Sequence, residues 1–548
     1  MPAAPGAVAG PARHMTEPVT DLGPSDPPED LDAEVKAARR ALEQVAALLE
    51  ERAAETTNKD VSGILSAQAL MAADPVLLDK VDSFIAEGLP ATHAVTKAFG
   101  SFKTLLAEAG GYMAERTADL EDICARVVAT LVGSPMPGLP ASSEPFVLVA
   151  NDLAPADTAQ LDASAVLALV TRQGGPTSHT AIIARSLAIP AVVSCARSDE
   201  LSEGEIVVVD GDRGVVFRSP DRALLQEVER RAQWLAEARR FSSGPGLTCD
   251  AHAVALLANV GNAKDAEAAA PDCEGVGLFR TEFLFLDRAD EPSLDEQEEA
   301  YRAVFDAFEG RKVVIRTLDA GADKPLRWLD LGTEQNPALG IRGLRTARVR
   351  PDVLEHQLEA VSRAAKDSGA EVWVMAPMVS TVSEAAEFVT QTHDHALPTA
   401  GVMVEVPALA ICADEAARVV DFFSIGTNDL CQYVLASDRT IGALSDLLDH
   451  WQPSVVRLIR DIAEGARAAS IPVGVCGEAA SDPLFAPVLV GLGITTLSMS
   501  PAGLALVRAS LAAHTSDDCR ELAELALKSA DARRARGYVA EAARVPLA

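Results

Sequence analysis

The 548-residue sequence has few aromatic residues, no long apolar run and no paired cysteines. Phe, Trp and Tyr make up 4% of the chain, so we expect cores built from Ala, Val and Leu. No stretch of about 18 apolar residues occurs, which argues against a membrane-spanning helix, and the N-terminal segment has no apolar centre of the signal-peptide type. The eight cysteines form no CxxC pair and no zinc-site spacing. That pattern is typical of a cytoplasmic protein in a reducing compartment.

Basic residues are also scarce relative to acidic ones. The chain has 48 Lys and Arg against 80 Asp and Glu, and its formal net charge is −32. Such a surface repels phosphate polymers and anionic lipids, so we expect neither nucleic acid nor membrane insertion. The hydrophobic content of 48% is normal for globular proteins, so the acidity does not indicate disorder. At roughly 150 residues per domain, the length predicts three or four domains.

The N-terminal part combines an α/β domain with an inserted helical domain. Apolar residues from Leu31 to Leu49 recur at spacings of three and four, and similar patterns between Val61 and Val132 predict a bundle of about four helices over residues 21–133. Residues 1–20 and 134–219 are predicted to form the α/β domain, with one short strand in residues 1–12. Its other strands are predicted at 146–150, 165–170, 191–194, 205–210 and 214–217.

A polar helical segment at 220–248 is expected to link this part to a larger domain at 249–548. Eight short apolar strands, each followed by a helical pattern, occur at 254–260, 275–279, 312–318, 371–377, 401–406, 421–426, 471–477 and 495–500. Eight βα units predict a (β/α)₈ barrel, although doubly wound sheets give similar patterns. In a barrel enzyme, polar residues should follow the strands at the C-terminal face. The sequence meets that test, because charged residues follow most of these strands.

The residues after the strands indicate a small, phosphorylated substrate. Glu405 and Asp429 end neighbouring strands, and an oxygen-only pair of this kind suits Mg²⁺. The alternative is that one acid binds metal while the other pairs with Arg280 or Arg316. The basic residues in this region are Arg280, Arg316, Lys324 and Arg439, with Arg342 nearby in the sequence. Arginine side chains bind carboxylate and phosphate through paired hydrogen bonds, so this set favours a highly anionic ligand.

Cys476 ends the seventh strand. A single cysteine at such a position is most often a buried core residue. The functional alternative is a proton donor at the mouth of the barrel, and spacing alone does not decide between the two.

The segment 174–193, GGPTSHTAIIARSLAIPAVV, holds the clearest local motif. Gly174 and Gly175 permit an unusual turn, and Thr177 or Ser178 is suited to cap the helix that follows. His179 then lies at the first turn, where backbone N–H groups and the helix dipole stabilise an attached phosphoryl group. The same field disfavours the imidazolium ion and keeps a nucleophilic nitrogen free. The alternative is a capping turn whose histidine only packs.

These motifs together resemble Enzyme I of the bacterial phosphotransferase system, the phosphoenolpyruvate–protein phosphotransferase family. The resemblance covers nearly the whole chain. It rests on the histidine segment and on GLFRTEFLFLDR (277–288), RTLDAGADKPL (316–326), NPALGIRGLR (336–345), FFSIGTNDLCQY (422–433) and VGVCGEAASDP (473–483).

The resemblance implies a phosphoryl relay. Phosphoenolpyruvate would bind at the barrel with Mg²⁺ held by Glu405 and Asp429, and His179 would take its phosphoryl group. Cys476 would protonate the enolate of pyruvate, and the phosphoryl group would pass to a histidine of the carrier protein HPr, docked on the helical domain. The resemblance assigns phosphate and carboxylate binding to Arg280, Arg316, Lys324, Asn428 and Arg439. It also implies a homodimer formed through the barrel domain.

Two positions depart from the family pattern: Pro176, and Gln68 where the family usually has a histidine. No sensory domain is recognisable at the N-terminus, which favours the sugar-uptake branch. The nearest rivals are pyruvate phosphate dikinase and phosphoenolpyruvate synthase, which share the histidine domain and barrel but need an ATP-grasp domain. No glycine-rich ATP loop is visible here. A non-catalytic regulatory relative is a third reading, and loss of His179 or of the charged set would favour it.

Overall fold

The computed structural model falls into two compact units, 1–229 and 230–548, and each is described by itself. The described residues are all except 1, 5, 17, 20, 23–24, 56–58, 110–116, 141, 143, 152, 154–160, 162–163, 176–177, 188, 212, 241–242, 287, 322–325, 330, 333, 440, 442–443, 445 and 547–548. No helix among them is both long enough and apolar enough to cross a membrane.

The first unit contains a seven-stranded mixed sheet with the order β1-β5-β4-β3-β2-β6-β7. Its strands are β1 (Pro2–Ala4), β2 (Ala7–His14), β3 (Phe146–Ala150), β4 (Val166–Thr171), β5 (Ala191–Val192), β6 (Ile206–Asp210) and β7 (Val215–Arg218). The N-terminal segment forms two strands, so the prediction of a single strand was wrong. Gly6 has a φ of +118° and turns the chain between them, and β1 then pairs with β5 whereas β2 pairs with β3 and β6.

A helical bundle is inserted between β2 and β3. Its helices are α1 (Leu31–Glu55), α2 (Lys59–Ala72), α3 (Pro75–Ala86), α4 (Ala91–Ala109) and α5 (Thr117–Val132), so the described residues form five helices where about four were predicted. Asp74 separates α2 from α3: its side chain accepts a hydrogen bond from the Val76 N–H, and Pro75 occupies the first turn of α3. The bundle has its own core of small and branched apolar side chains, as the low aromatic content predicted.

Helix α6 (His179–Ser186) follows β4 in the sheet domain, and α7 (Arg222–Arg240) spans the boundary between the two units. Within the segment 220–248, which was predicted as a linker helix, the described residues are helical from Arg222 to Arg240.

The second unit is a closed barrel of eight parallel strands, which confirms the predicted (β/α)₈ architecture. The strands are β8 (Ala255–Val260), β9 (Gly275–Arg280), β10 (Lys312–Arg316), β11 (Glu371–Ala376), β12 (Ala400–Val404), β13 (Phe423–Ile425), β14 (Val473–Val475) and β15 (Thr496–Met499). Each overlaps one of the eight predicted apolar segments. The eight-strand pattern could be recognised because parallel strands covered by helices are continuous apolar runs.

Helices surround the barrel and bury its outer face. They are α8 (Ala263–Ala269), α9 (Glu282–Phe285), α10 (Leu294–Asp306), α11 (Pro351–Lys366), α12 (Val382–Asp394), α13 (Pro407–Ile411), α14 (Ala413–Ala416), α15 (Thr427–Val434), α16 (Pro453–Ala469), α17 (Phe485–Gly491), α18 (Pro501–Ala513), α19 (Ser516–Lys528) and α20 (Ala532–Ala542). Capping boxes start three of these helices, at Ser293, Thr381 and Thr515. Ser293 and Thr381 thereby fix where α10 and α12 begin.

Candidate active site

The barrel interior changes from apolar to charged towards the C-terminal ends of its strands. Leu278, Val314 and Met403 belong to one buried interior cluster. Side chains two residues apart on a strand point to the same face, so Arg280, Arg316 and Glu405 continue those rows at the C-terminal face. A 3.8 Å contact between Arg316 Nη1 and Met403 Sδ confirms the interior position of Arg316. Strand alternation therefore places the predicted residues at the mouth of the barrel.

Arg316 is buried and pairs with two acidic residues. Its Nη2 donates to Glu282 Oε1 at 2.8 Å, and its Nη1 lies 2.9 Å from Asp319 Oδ2. Burial lowers the pKa of Arg316, but the charges of Asp319, Glu282 and Glu405 outweigh it, so the net pKa is raised. The guanidinium group is thus fixed in its charged form on the wall of the site.

Arg342, noted from the sequence only as lying near the other basic residues, is a second buried arginine at the mouth. Its Nη1 donates to Asp429 Oδ1 at 3.0 Å, and its Nη2 donates to Asp319 Oδ1 at 3.2 Å. It thus bridges the carboxylates that follow β10 and β13. Asp319 and Glu282 were also missed as site residues. Their only sequence signal was their position directly after a strand end, within motifs that also carry an arginine.

Glu405 lies among like charges in the barrel. The side chain is buried, and its Oε1 accepts a hydrogen bond of 2.7 Å from the Met378 N–H. Burial, together with the nearby charges of Asp429 and Asp319, raises the pKa of Glu405 above its ordinary value. Arg316 and Arg342 oppose this increase and do not cancel it. Additional positive charge at the site would favour the ionised form of Glu405.

Asp429 belongs to the first turn of α15 and pairs with Arg342, not with Arg280 or Arg316 as one alternative held. Arg439 Nη1 lies 3.8 Å from Asp429 Oδ2. Asn428 Oδ1 accepts a hydrogen bond from the Glu478 N–H at 3.0 Å, which ties the β13 loop to the β14 loop. Gly477 permits this close approach, because a Cβ atom there would lie 1.9 Å from Thr427 Oγ1.

Cys476 directly follows β14 and is buried with the interior cluster. Its Sγ donates to the Ile425 carbonyl at 3.6 Å. Burial raises the pKa of this thiol to about 11, although a hydrogen bond from Ser424 and the charges of Arg316 and Arg280 act in the opposite direction. The thiol therefore keeps its proton at neutral pH, as a proton donor requires. Lys324, the other predicted basic residue, lies outside the described residues.

His179 is the first residue of α6 in the sheet domain. Ser178 caps this helix, because its Oγ accepts a hydrogen bond of 3.3 Å from the Ala181 N–H. Of the two capping residues considered from the sequence, the structure thus identifies Ser178. The backbone of His179 occupies the helix N-terminus, where unpaired N–H groups and the helix dipole favour a negative charge.

Of the two departures from the family pattern, Gln68 and Pro176, the structure describes only Gln68. Gln68 is buried in the bundle, and its Nε2 donates to Asp119 Oδ1 at 3.0 Å, which links α2 to α5. Pro176 lies outside the described residues.

A barrel with this set of charged residues, together with a separate histidine-bearing domain, defines a phosphoenolpyruvate-utilising enzyme. Three family models of that class match the chain: the PEP-binding domain at 235–516, the mobile domain at 142–214 and the N-terminal domain at 1–116. The chain is 48% identical to a phosphoenolpyruvate-protein phosphotransferase of Streptomyces coelicolor, over 96% of its own length and 95% of that relative. It is 42% identical to one of Haloferax volcanii, over 90% and 89% of the two chains.

The chain belongs to the phosphoenolpyruvate-protein phosphotransferase family, and it is an enzyme of phosphoenolpyruvate-dependent phosphotransfer. Enzymes of this family use a divalent metal ion. A solution structure of Enzyme I covers 42% of this chain and 96% of its own at 31% identity, with a TM-score of 0.39.

Proposed function

We propose that phosphoenolpyruvate phosphorylates His179 and that the phosphoryl group then passes to a histidine of the carrier protein HPr, as the first step of sugar uptake in the cytoplasm. The observation that carries this proposal is the pair of buried arginines, Arg316 and Arg342, set among buried carboxylates beside the protonated Cys476 thiol. This arrangement suits a ligand that has both a phosphate and a carboxylate group and that receives a proton as it reacts.

Phosphoenolpyruvate binds, in this proposal, to the basic side chains at the mouth of the barrel. Arg280 and Arg439 are both partly exposed there, so a ligand can reach their guanidinium groups. Arg316 is held rigidly by Glu282 and Asp319 and presents a fixed positive charge behind them. Asn428, at the start of α15, and Lys324 complete the phosphate-binding set. These contacts orient the phosphorus atom towards His179 and hold the enolate that leaves.

The residues at the mouth fit a magnesium ion. Glu405 and Asp429 offer carboxylate oxygens, which are the ligands that Mg²⁺ prefers. Burial and the charges of Asp429 and Asp319 raise the pKa of Glu405, which supports a cation beside this carboxylate. When bound, Mg²⁺ would neutralise charge on the transferring phosphoryl group and on the enolate oxygen. Glu405 and Asp429 are the residues proposed to hold it.

The chemical step transfers one phosphoryl group. A ring nitrogen of His179 attacks phosphorus, the N–P bond forms, and the P–O bond to the enol oxygen breaks. The electron pair of that bond leaves with the enolate of pyruvate. Cys476 then donates its proton to carbon 3 of the enolate, which gives pyruvate, and solvent restores the thiol proton. The N-terminus of α6 stabilises the phosphoryl group on His179 until it is passed on.

The helical bundle is proposed to bind HPr. Leu70 near the end of α2 is 71% exposed, and Val76 in the first turn of α3 is 65% exposed. Two large apolar side chains on either side of the Asp74 turn form a small apolar surface in an otherwise acidic chain. Exposed apolar side chains on a chain with a net charge of −32 support docking of a partner with a basic surface around its histidine.

A homodimer through the barrel domain completes the proposal. Large apolar side chains are exposed in the loops and short helices that follow the barrel strands: Phe283, Leu339, Val349, Ile411 and Ile441. Such side chains support a protein interface at this end of the barrel. Sedimentation of the protein and of an Ile411→Asp variant across a range of concentrations tests it.

One labelling experiment tests the relay. The protein is incubated with ³²P-labelled phosphoenolpyruvate and Mg²⁺ without nucleotide. We expect phosphate on the protein that is labile in acid and stable in base, lost in His179→Ala and retained in the exposed control His252→Ala. Adding HPr should remove the label. A requirement for ATP would contradict the proposal and favour a dikinase-like reaction.

A further inference from the structure

Gln357 joins the two strand ends that carry the arginines of the site. It lies on α11, outside the barrel strands, and is 1% exposed. Its Oε1 accepts a hydrogen bond of 2.7 Å from the Leu318 N–H, two residues beyond β10. Its Nε2 donates to Thr281 Oγ1, directly after β9, at 3.2 Å. Thr281 Oγ1 in turn donates to the Arg316 carbonyl at 2.8 Å.

These hydrogen bonds link the segments that follow β9 and β10, beyond the last backbone pairing of the two strands. The pairing of the two strands reaches Arg316 and Arg280. Past that point the backbones separate into different loops, and their buried polar groups need other partners. The Gln357 amide supplies both an acceptor and a donor in one rigid group. It thereby fixes the distance between the loop that carries Glu282 and the loop that carries Asp319.

The remaining proton of the Gln357 amide is also used. Nε2 donates to Tyr301 Oη at 3.0 Å, and Tyr301 Oη donates to Gln297 Oε1 at 3.1 Å. Gln297 is fully buried on α10, and its Nε2 donates to the Pro292 carbonyl at 3.0 Å. Since both protons and the oxygen of the Gln357 amide have partners, its orientation is fixed. If the amide rotated by 180°, Oε1 would face Thr281 Oγ1 and Tyr301 Oη, which now accept hydrogen bonds from Nε2.

We propose that Gln357 is a positioning residue for substrate binding: it sets the spacing of Arg280 and Arg316 and so the affinity of the barrel for phosphoenolpyruvate. This inference rests on the proposed role of those two arginines. Loss of the amide leaves the Leu318 N–H without its acceptor in the interior and releases Thr281 from one of its two bonds, so the two loops move relative to each other. A small displacement of binding groups is costly because both arginines must act on one ligand, Arg280 through direct contact and Arg316 through its fixed charge.

The test compares two buried glutamines that share the Tyr301 hydroxyl. Gln357→Leu and the matched control Gln297→Leu each remove one amide of the same size from the same network. Phosphoenolpyruvate binding is measured by calorimetry with Mg²⁺ in the His179→Ala background, where no phosphoryl transfer follows. We expect Gln357→Leu to weaken binding about tenfold and Gln297→Leu to change it less than about twofold. Thermal unfolding should show a comparable loss of stability in both.

Thr281 provides the second comparison. Thr281→Val removes the hydroxyl at constant shape and should weaken binding as Gln357→Leu does, with no further loss in the double variant. Thr281→Ser keeps the hydroxyl and should restore binding. In variants that retain His179, transfer from the phosphorylated protein to HPr does not use the barrel and should keep its rate.

Equal weakening in Gln357→Leu and Gln297→Leu, or in neither, would overturn the positioning role. Failure of the relay would appear differently, as absence of label on wild-type protein, and the binding comparison would still be decisive.

Discussion

Arg342 donates a hydrogen bond to Asp429 across the mouth of the barrel, with 3.0 Å between Nη1 and Oδ1. Asp429 is also one of the two residues proposed to hold Mg²⁺. The same carboxylate also lies 3.8 Å from Arg439 Nη1, so two arginines face it. Arg342 also pairs with Asp319, so one guanidinium group organises two acidic residues from different loops. This shared use of Asp429 links the stability of the site to its chemistry.

Arg342→Met should destabilise the protein. Removing the guanidinium leaves Asp319 and Asp429 as buried carboxylates without their shared partner, and breaking a buried ion pair costs about 3–5 kcal/mol. Urea denaturation measures the loss. The control is Arg348→Met, which breaks an exposed pair with Glu384 and should cost less than about 1 kcal/mol. Similar losses in the two variants would show that the Arg342 pairs have no special energetic weight.

Glu405→Gln should separate function from stability. The amide can still accept the Met378 N–H, but it lacks the charge that a metal ligand needs. We expect phosphorylation by phosphoenolpyruvate to fall by about 100-fold or more, with a higher Mg²⁺ requirement. Without metal, the free energy of unfolding should stay the same or increase. The variant no longer has the repulsion from Asp429 and Asp319 that raises the pKa of Glu405. A stable variant with normal Mg²⁺ dependence would exclude Glu405 as a ligand.

Cys476→Ala should slow pyruvate formation without affecting the second transfer. The thiol, whose pKa burial raises to about 11, is the proposed proton source for the enolate. Coupled detection of pyruvate should show a loss of about 10²- to 10⁴-fold in the first half-reaction. Passage of phosphate from the isolated phosphoprotein to HPr should be unaltered. Cys431→Ala, at another buried cysteine of the barrel, is the control and should keep pyruvate formation near the wild-type rate.

Leu70→Asp should weaken carrier docking while leaving self-phosphorylation intact. The charge interrupts the apolar surface at the α2–α3 turn, and we expect KM for HPr to rise about tenfold. The control is Leu31→Asp. Leu31 is the first residue of α1, and Glu34 in the same helical turn accepts a hydrogen bond from the Ala91 N–H. Ala91 follows the C-terminal end of α3, whereas the α2–α3 turn lies at its N-terminal end. Leu31 is therefore distant from the α2–α3 turn. An equal rise in KM for both variants would contradict docking at Leu70 and Val76.

Asp482→Asn should reduce stability in a pH-dependent way. Asp482 Oδ2 accepts from Trp451 Nε1 at 3.1 Å and lies 3.2 Å from His450 Nε2. Burial raises the pKa of Asp482, but His450, Arg536 and the Leu484 N–H outweigh it and depress the pKa below its ordinary value. The ionised form therefore stabilises the fold above the unfolded pKa of about 3.9, and this contribution is lost as pH falls further.

The expected loss for Asp482→Asn is about 3 kcal/mol at neutral pH. The difference from wild type should narrow as pH falls from about 4 towards 2. Denaturant unfolding across that range measures it, with the exposed Asp461→Asn as control. A difference that widens on acidification would show that the sign of the pKa shift is wrong.

The sequence was sufficient for the architecture of the barrel and for several of its chemical residues. Its eight apolar segments match the eight strands, because strands covered on the outside by helices and on the inside by their neighbours are apolar throughout. Arg316 and Glu405 were identifiable because they follow such strands directly. The helix start at His179 was predicted correctly, since the hydroxyl at Ser178 is a local capping signal.

Other features depended on contacts that sequence spacing does not encode. Arg342 lies 87 residues from Asp429 along the chain, and only barrel closure brings the two within hydrogen-bonding distance. Gln357 looks like any polar residue on an amphipathic helix until its amide is seen to bond Leu318 and Thr281. The division of the N-terminal segment into two strands likewise follows from the different partners of β1 and β2.

By itself, the sequence determined the class of fold and the family and predicted the reactive residues, because these depend on local periodicity, capping and contiguous motifs. Only the tertiary structure decided which charged residues form ion pairs: Arg316 pairs with Glu282 and Asp319, and Arg342 pairs with Asp319 and Asp429. The physical reason is that ion pairs and pKa values depend on distance and burial in three dimensions, and the residues that follow β9, β10 and β13 meet only when the eight strands close into a barrel.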